Sequence, residues 1–169
     1  MHRRTRTNLF LLVMVALLGV AVVAELRREH AMERDPLTKI DPDAIRSLSV
    51  TCLACPLRRF EKVDGHWMMR EPYAQPADDK IVARLTEIVR APVRYRRPTS
   101  ELDPAKLGLE PAMATLEVDG TVLKFGATDA IRNDRYVEVE GTISLVPDRF
   151  SAFLFESPES ELAEPPPKR

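Results

Sequence analysis

Residues 114–126 read ATLEVDGTVLKFG, and this stretch decides the fold. Apolar and polar residues alternate on both sides of Asp119-Gly120, a pair that tolerates the positive φ angles of a tight hairpin turn. A two-residue turn pairs Val118 with Thr121 and Leu116 with Leu123, which puts Leu116, Val118, Leu123 and Phe125 on one face. The signal recurs on either side, at Asp64-Gly65 within RRFEKVDGHWMMRE and at Glu140-Gly141 within RYVEVEGTISLV. For the last of these, a three-residue loop of Glu140, Gly141 and Thr142 is expected. It aligns Val137, Val139, Ile143 and Leu145, whereas a two-residue loop opposes valines to Ser144. Residues 45–51 (IRSLSVT) add another strand.

Between the first two hairpins the period changes. Residues 78–91 place Ile81, Val82, Leu85, Ile88 and Val89 in a single helical stripe, with Asp78 as cap and Pro92 as stop. Shorter helical turns are expected at residues 104–107, leading into Gly108, and at residues 150–155. Strands, then a helix, then more strands point to an α+β fold: an antiparallel, hairpin-rich sheet with one main helix packed on one face.

The chain has 169 residues, with 25 basic against 26 acidic side chains and a net charge of -1. That suits one globular domain with appendages and offers no basic surplus for nucleic acid. Residues 9–24 form an unbroken apolar run preceded by Arg3, Arg4 and Arg6. Extended to Leu26, the run is expected to be a transmembrane helix, and a cleaved signal peptide is the competing reading. The basic flanks are balanced, but the free amino terminus and the long domain that follows place the N-terminus in the cytoplasm and the domain in the periplasm. The expected organisation is a cytoplasmic segment 1–8, a single-pass anchor 9–26 in the bacterial inner membrane, a charged stalk 27–36, the α+β domain 37–156, and a disordered, proline-rich tail 157–169.

Several residues in a fixed order resemble a known family. Leu37-Thr38-Lys39-Ile40, Phe60-Glu61-Lys62 ahead of Gly65-His66-Trp67, Pro72, and Pro76-Ala77-Asp78 opening the helix are followed by Leu107-Gly108-Leu109-Glu110-Pro111, Phe125-Gly126 and Tyr136-Val137. Together they resemble the bacterial domain of unknown function 4340. Larger members of that family look like membrane-anchored components accompanying gliding-type ABC transporters, so the resemblance implies an envelope role outside the membrane. This chain differs in carrying a single short copy and a Cys-x-x-C. At the matched positions Gly65, Gly108 and Gly126 read as turn residues and Trp67 as core.

Cys52-Leu53-Ala54-Cys55 is the sharpest chemical feature. A redox site of this spacing needs a helix N-terminus to lower the thiol pKa, and here Pro56 leads into a strand. A metal site needs further ligands, and the histidines after the apolar run are His30 and His66. A disulfide joining two strands is therefore expected, with unpaired, inert thiols and thiol redox or metal handling by Cys52 and Cys55 as the alternatives. Arg94, Arg96 and Arg97 around Tyr95 are candidates for anionic contact, weighed against a solvated strand face neutralised by Glu101 and Asp103, with Val93 and Tyr95 inward. Asp129, Asp134 and Glu138 read as exposed positions. The sequence contains none of the catalytic motifs GxSxG, HExxH or a phosphate-cradling glycine loop. The expected function is non-enzymatic and cofactor-free: an envelope binding or scaffold module with a protein partner.

Overall fold

The computed structural model describes residues 10–24 and 35–163. The chain divides into two units, Met1–Asp35 and Pro36–Arg169. In the first, residues 10–24 form a helix, α1, with every side chain exposed. At 1.5 Å per residue it is about 22 Å long, short of a ~30 Å hydrocarbon core. No helix among the described residues is long and apolar enough to cross a membrane. Leu9, Glu25 and Leu26, which complete the expected span 9–26, lie outside the described residues, as do segment 1–8 and most of the stalk 27–36.

The second unit is α+β and rich in sheet. Its strands are β1 (Ser47–Cys52), β2 (Cys55–Val63), β3 (His66–Glu71), β4 (Gln75–Pro76), β5 (Tyr95–Pro98), β6 (Ala114–Val118), β7 (Thr121–Thr128), β8 (Asp134–Val139) and β9 (Thr142–Pro147), with the helix α2 (Asp79–Thr86) between β4 and β5. They form one antiparallel nine-stranded sheet in the order β4-β3-β2-β1-β6-β7-β8-β9-β5. The chain builds outward from β1 to one edge and crosses through α2 to the opposite edge. It then returns to the centre at β6 and fills outward again until β9 meets β5.

Three hairpins share one turn chemistry. Asp64-Gly65, Asp119-Gly120 and Glu140-Gly141 all take positive φ at both residues, the requirement of a two-residue turn whose twist matches its strands. The registers Val63↔His66 and Val118↔Thr121 follow directly. The third hairpin departs from expectation. Val139 pairs with Thr142 and Val137 with Ser144, a two-residue turn, where a three-residue loop was expected. A three-residue loop would suit a β9 covered on only one face. In fact Ile143, Ser144 and Val146 are all buried, and Ile143 lies outside the main core cluster, so β9 is covered on both faces.

α2 is capped by Asp78, which accepts from the Lys80 and Ile81 amides, and it tightens into a 3-10 turn over Glu87–Arg90 before Pro92. Val82, Leu85, Ile88 and Val89 are fully buried against the sheet residues Val50, Phe60, Met69, Leu116, Leu123 and Phe125. Gly126 is not a turn residue: it lies within β7, where an added Cβ would sit 2.2 Å from the Leu107 carbonyl oxygen. Glycine there lets the 3-10 turn Pro104–Leu107, closed by Gly108 at φ 68, pack on the strand.

The expected disordered tail also needs correction. Pro158–Glu161 is a 3-10 turn with Pro158 and Glu161 buried. The Glu161 carbonyl accepts from the Asp78 amide at 2.8 Å, and the Ala163 amide donates to Pro76 at 3.0 Å. The domain therefore extends at least to Ala163, and it begins by Pro36, which bridges Pro92. Composition argued for disorder because charged residues rarely bury, but Glu161 has a buried partner. Residues 164–169 lie outside the described residues.

Leu85→Asp should abolish the cooperative thermal transition. A carboxylate at this fully buried position costs more than the 5–15 kcal/mol range of domain stability can readily spare. Circular dichroism melts check this, with Arg84→Ala on the exposed side of α2 as a control expected to shift stability by less than about 1 kcal/mol.

Candidate functional site

Cys52 closes β1 and Cys55 opens β2, directly opposite each other across a turn of Leu53 and Ala54. Their Cα atoms are 5.2 Å apart and their sulfurs are bonded. The Leu53 amide donates to the Met113 carbonyl at 3.2 Å, and the Leu53 side chain is 68% exposed. The Cys-x-x-C is therefore a staple across a hairpin. A strand leaves it, so no helix N-terminus is there to stabilise a thiolate. Among the described residues no three of His, Cys, Asp or Glu are grouped to hold a metal ion. His66 instead pairs with Asp79 at 2.7 Å. The Trp67 N–H, foremost, and His66 hold the Asp79 carboxyl below its ordinary range, tying the start of α2 to β3.

The basic segment is not gathered into one anion site. Arg94 pairs with Asp134 at 3.1 Å, and Asp134 is buried where an exposed position was expected. Arg96 donates to the Pro36 carbonyl. Arg97 donates to the Tyr95 hydroxyl and lies 3.5 Å from Glu101, as expected, but Asp103 pairs with Lys106 instead. Tyr95 is 45% exposed rather than inward, because β5 is an edge strand exposed along its whole length. These arginines fasten the sheet edge to the rest of the domain.

Two arrangements went unforeseen in the sequence. The first is a buried ion pair: Arg58 on β2 is 0% exposed, and its Nη1 lies 2.5 Å from Oε1 of Glu161, itself 1% exposed. Arg58 also donates to the carbonyls of Phe153 and Leu154. Its Nε and the Glu161 Oε2 have no hydrogen-bond partner. Strand alternation carried the signal, since Arg58 is two residues from the core residue Phe60 and must share its face. Burial lowers the Arg58 pKa and pushes Glu161 up to about 7, in each case against the charge and hydrogen bond of the partner, while Glu156 adds to the rise at Glu161.

The second is a groove of about 330 Å³ between α2 and the turns after β9, lined by Ala83, Arg84, Glu87, Arg149, Phe150 and Phe153. The Arg84 guanidinium lies 5.2 Å from the Phe153 ring centre and that of Arg149 lies 4.9 Å from Phe150. Next along the chain, Arg135 lies 5.2 Å from the Phe155 ring. No protein-family model matches this chain, and no curated protein or solved structure is similar to it. The functional reading therefore rests on these residues.

The staple should contribute about 2 kcal/mol, the chain-entropy value for so small a loop. The double variant Cys52→Ser with Cys55→Ser should lose that much in urea unfolding and keep its fold. Thiol labelling should find no free sulfhydryl until the chain is reduced.

The buried pair sets a pH dependence. Between the ordinary glutamate value of 4.5 and about 7, folded Glu161 keeps a proton that the unfolded chain releases, so stability falls as pH rises through that window. Asp79, held down by Trp67 and His66, and Glu159, held down chiefly by the Tyr73 hydroxyl, act oppositely and lose their contributions only in more acidic solution. Melts should therefore show a more stable domain near pH 5 than near pH 8, by on the order of 3 kcal/mol. Glu161→Gln should remove most of that slope.

Proposed function

We propose that the chain is a membrane-anchored binding or scaffold module of the bacterial envelope, with residues 9–26 as a single-pass anchor and the α+β domain in the periplasm. The observation that carries this reading is the apolar helix at residues 10–24, exposed along its whole length beyond Arg3, Arg4 and Arg6. An exposed apolar helix of this composition calls for a hydrocarbon surrounding, and Leu9 and Leu26 lengthen it toward a full span. The bonded Cys52–Cys55 pair is in keeping with an oxidising compartment. The likeness to the domain of unknown function 4340, resting on the ordered residues given above, would make the module an accessory to a transporter.

The described sheet domain carries recessed surfaces that a partner could meet. Its polar cleft on the outer sheet face, lined by Ser47, Ser49, Arg59, Glu61 and Asp119, is engaged internally. Asp119 accepts from the Arg46 and Ser47 amides, and Glu61 pairs with Arg70. Among the described residues, the Arg–Phe groove is a surface left open to a partner.

A periplasm-active reporter fused after Arg169 should be active, and the chain should remain with membranes after carbonate washing. Activity of a cytoplasm-specific reporter at the same place would reverse the orientation. A soluble product beginning near Glu25 would show cleavage instead.

A further inference from the structure

We propose that the groove between α2 and residues 148–155 is the face by which the domain docks onto an anionic bilayer surface, its arginines taking lipid phosphates and its phenyl rings meeting the acyl boundary. The inference rests on the membrane anchor proposed above.

The groove presents two kinds of unfinished business side by side. Its walls are apolar: Phe150 and Phe153 are packed against the core on one side and open on the other, and Phe155, further along, is 42% exposed. Its charges are cationic. Among the described residues neither Arg84 nor Arg149 makes an ion pair, and each guanidinium lies against a phenyl ring. Lys80, one helical turn before Arg84, is exposed as well, and Glu87 is the one acid lining the groove. Several other arginines of this domain are instead tied to carboxylates, as Arg58, Arg94 and Arg135 are.

A partner completing such a face must offer negative charge directly beside hydrocarbon. Water supplies neither. The headgroup boundary of an anionic bilayer supplies both, attracting Lys and Arg to its phosphates while aromatic rings lodge at the level beneath them. The groove is bounded by one helix face and a pair of 3-10 turns, an arrangement that suits apposition to a surface.

Tethering makes the contact accessible. Residues 25–35 can reach at most about 38 Å when fully extended, so an anchored domain is held within about its own diameter of the bilayer. Docking is then intramolecular in effect, and weak individual contacts suffice.

The experiment uses the full chain in vesicles. Its two cysteines are bonded to each other, so Ala152→Cys introduces one free thiol beside Phe153 for an environment-sensitive fluorophore. Val122→Cys, on the outer face of β7, serves as reference. Quenching by spin-labelled lipid is compared in vesicles of phosphatidylcholine with and without phosphatidylglycerol.

Position 152 should be quenched at least about threefold more in the anionic vesicles, and the excess should fall at about 0.5 M salt, where the screening length is about 4 Å. Position 122 should remain unquenched in both. Arg84→Glu with Arg149→Glu should lose the quenching at position 152 while keeping the wild-type melting transition.

Equal quenching at the two positions, or none at position 152 in anionic vesicles, would overturn the inference. Carbonate washing of the same vesicles reads the anchor separately. A chain retained but unquenched at position 152 sinks the docking face and leaves the anchor standing, with an acidic segment of a protein partner as the groove's occupant. A chain quenched before washing but removed by it supports the docking face and sinks the anchor.

Discussion

One apolar sheet face has to be covered, and there is too little helix to cover it. Nine strands at about 4.8 Å spacing set the outermost strands about 38 Å apart, whereas an eight-residue helix is about 12 Å long. α2 and its 3-10 extension lie over part of this face. The remainder falls to the chain termini of the domain: Leu37 and Ile45 at one end, and Leu154 with its neighbouring turns at the other. Short turns cover area by bending, and bending leaves backbone carbonyls pointing inward. The carbonyls of Phe153 and Leu154 are two of these, and Arg58 is the inward donor that satisfies them.

This origin explains why a buried charge is tolerated at all. An apolar residue at position 58 would leave those carbonyls without that donor, and an arginine alone would leave a buried cation. Glu161 answers the second problem in part, accepting a hydrogen bond from Arg58 and adding an opposite charge as it ionises near pH 7, and it brings down onto the sheet the C-terminal segment whose backbone pairs with Pro76 and Asp78. The pairing is incomplete, with one nitrogen and one oxygen unsatisfied, and the burial that shifts both pKa values toward neutrality is the same burial that closes the core. The ion pair therefore fixes where the segment lies more than it adds stability.

The parts legible in the sequence were those set by local rules. Aspartate–glycine pairs favour positive φ, so two hairpins, and the register of the one at Asp119-Gly120, followed without any tertiary knowledge. The helix stripe was visible because its partner face is continuous. Legibility ended where two layers met. The register of the third hairpin was not legible because Ser144 is buried beside Ile143, and a strand covered on both faces lacks the alternation that would align it. Ser157 to Ala163 looked disordered because composition sums charges and cannot see that one of them meets Arg58. At the candidate sites, Cys52 and Cys55 were readable from their spacing, since opposite ends of a two-residue turn are within disulfide reach. The groove was not, because Phe150 and Phe153 meet Arg84 only after the long crossing through the sheet.

That crossing also relates the groove to the core. α2 must pass from the β4 edge to the β5 edge, and its buried stripe is fixed by the sheet beneath. With Val82, Leu85 and Ile88 turned inward, Ala83, Arg84 and Glu87 are forced outward at the spacing of one turn. The turns after β9 must then pack beside that outward face to finish covering the sheet, which brings Phe150 and Phe153 to it with one side of each ring still open. The groove is thus a by-product of covering a wide sheet with short pieces. What the fold did not require is a pair of arginines over those rings: alanine or serine at position 84 or 149 would leave the core unchanged. Among the described residues these two arginines make no ion pair, and it is that charge, rather than the groove itself, on which the proposed docking rests.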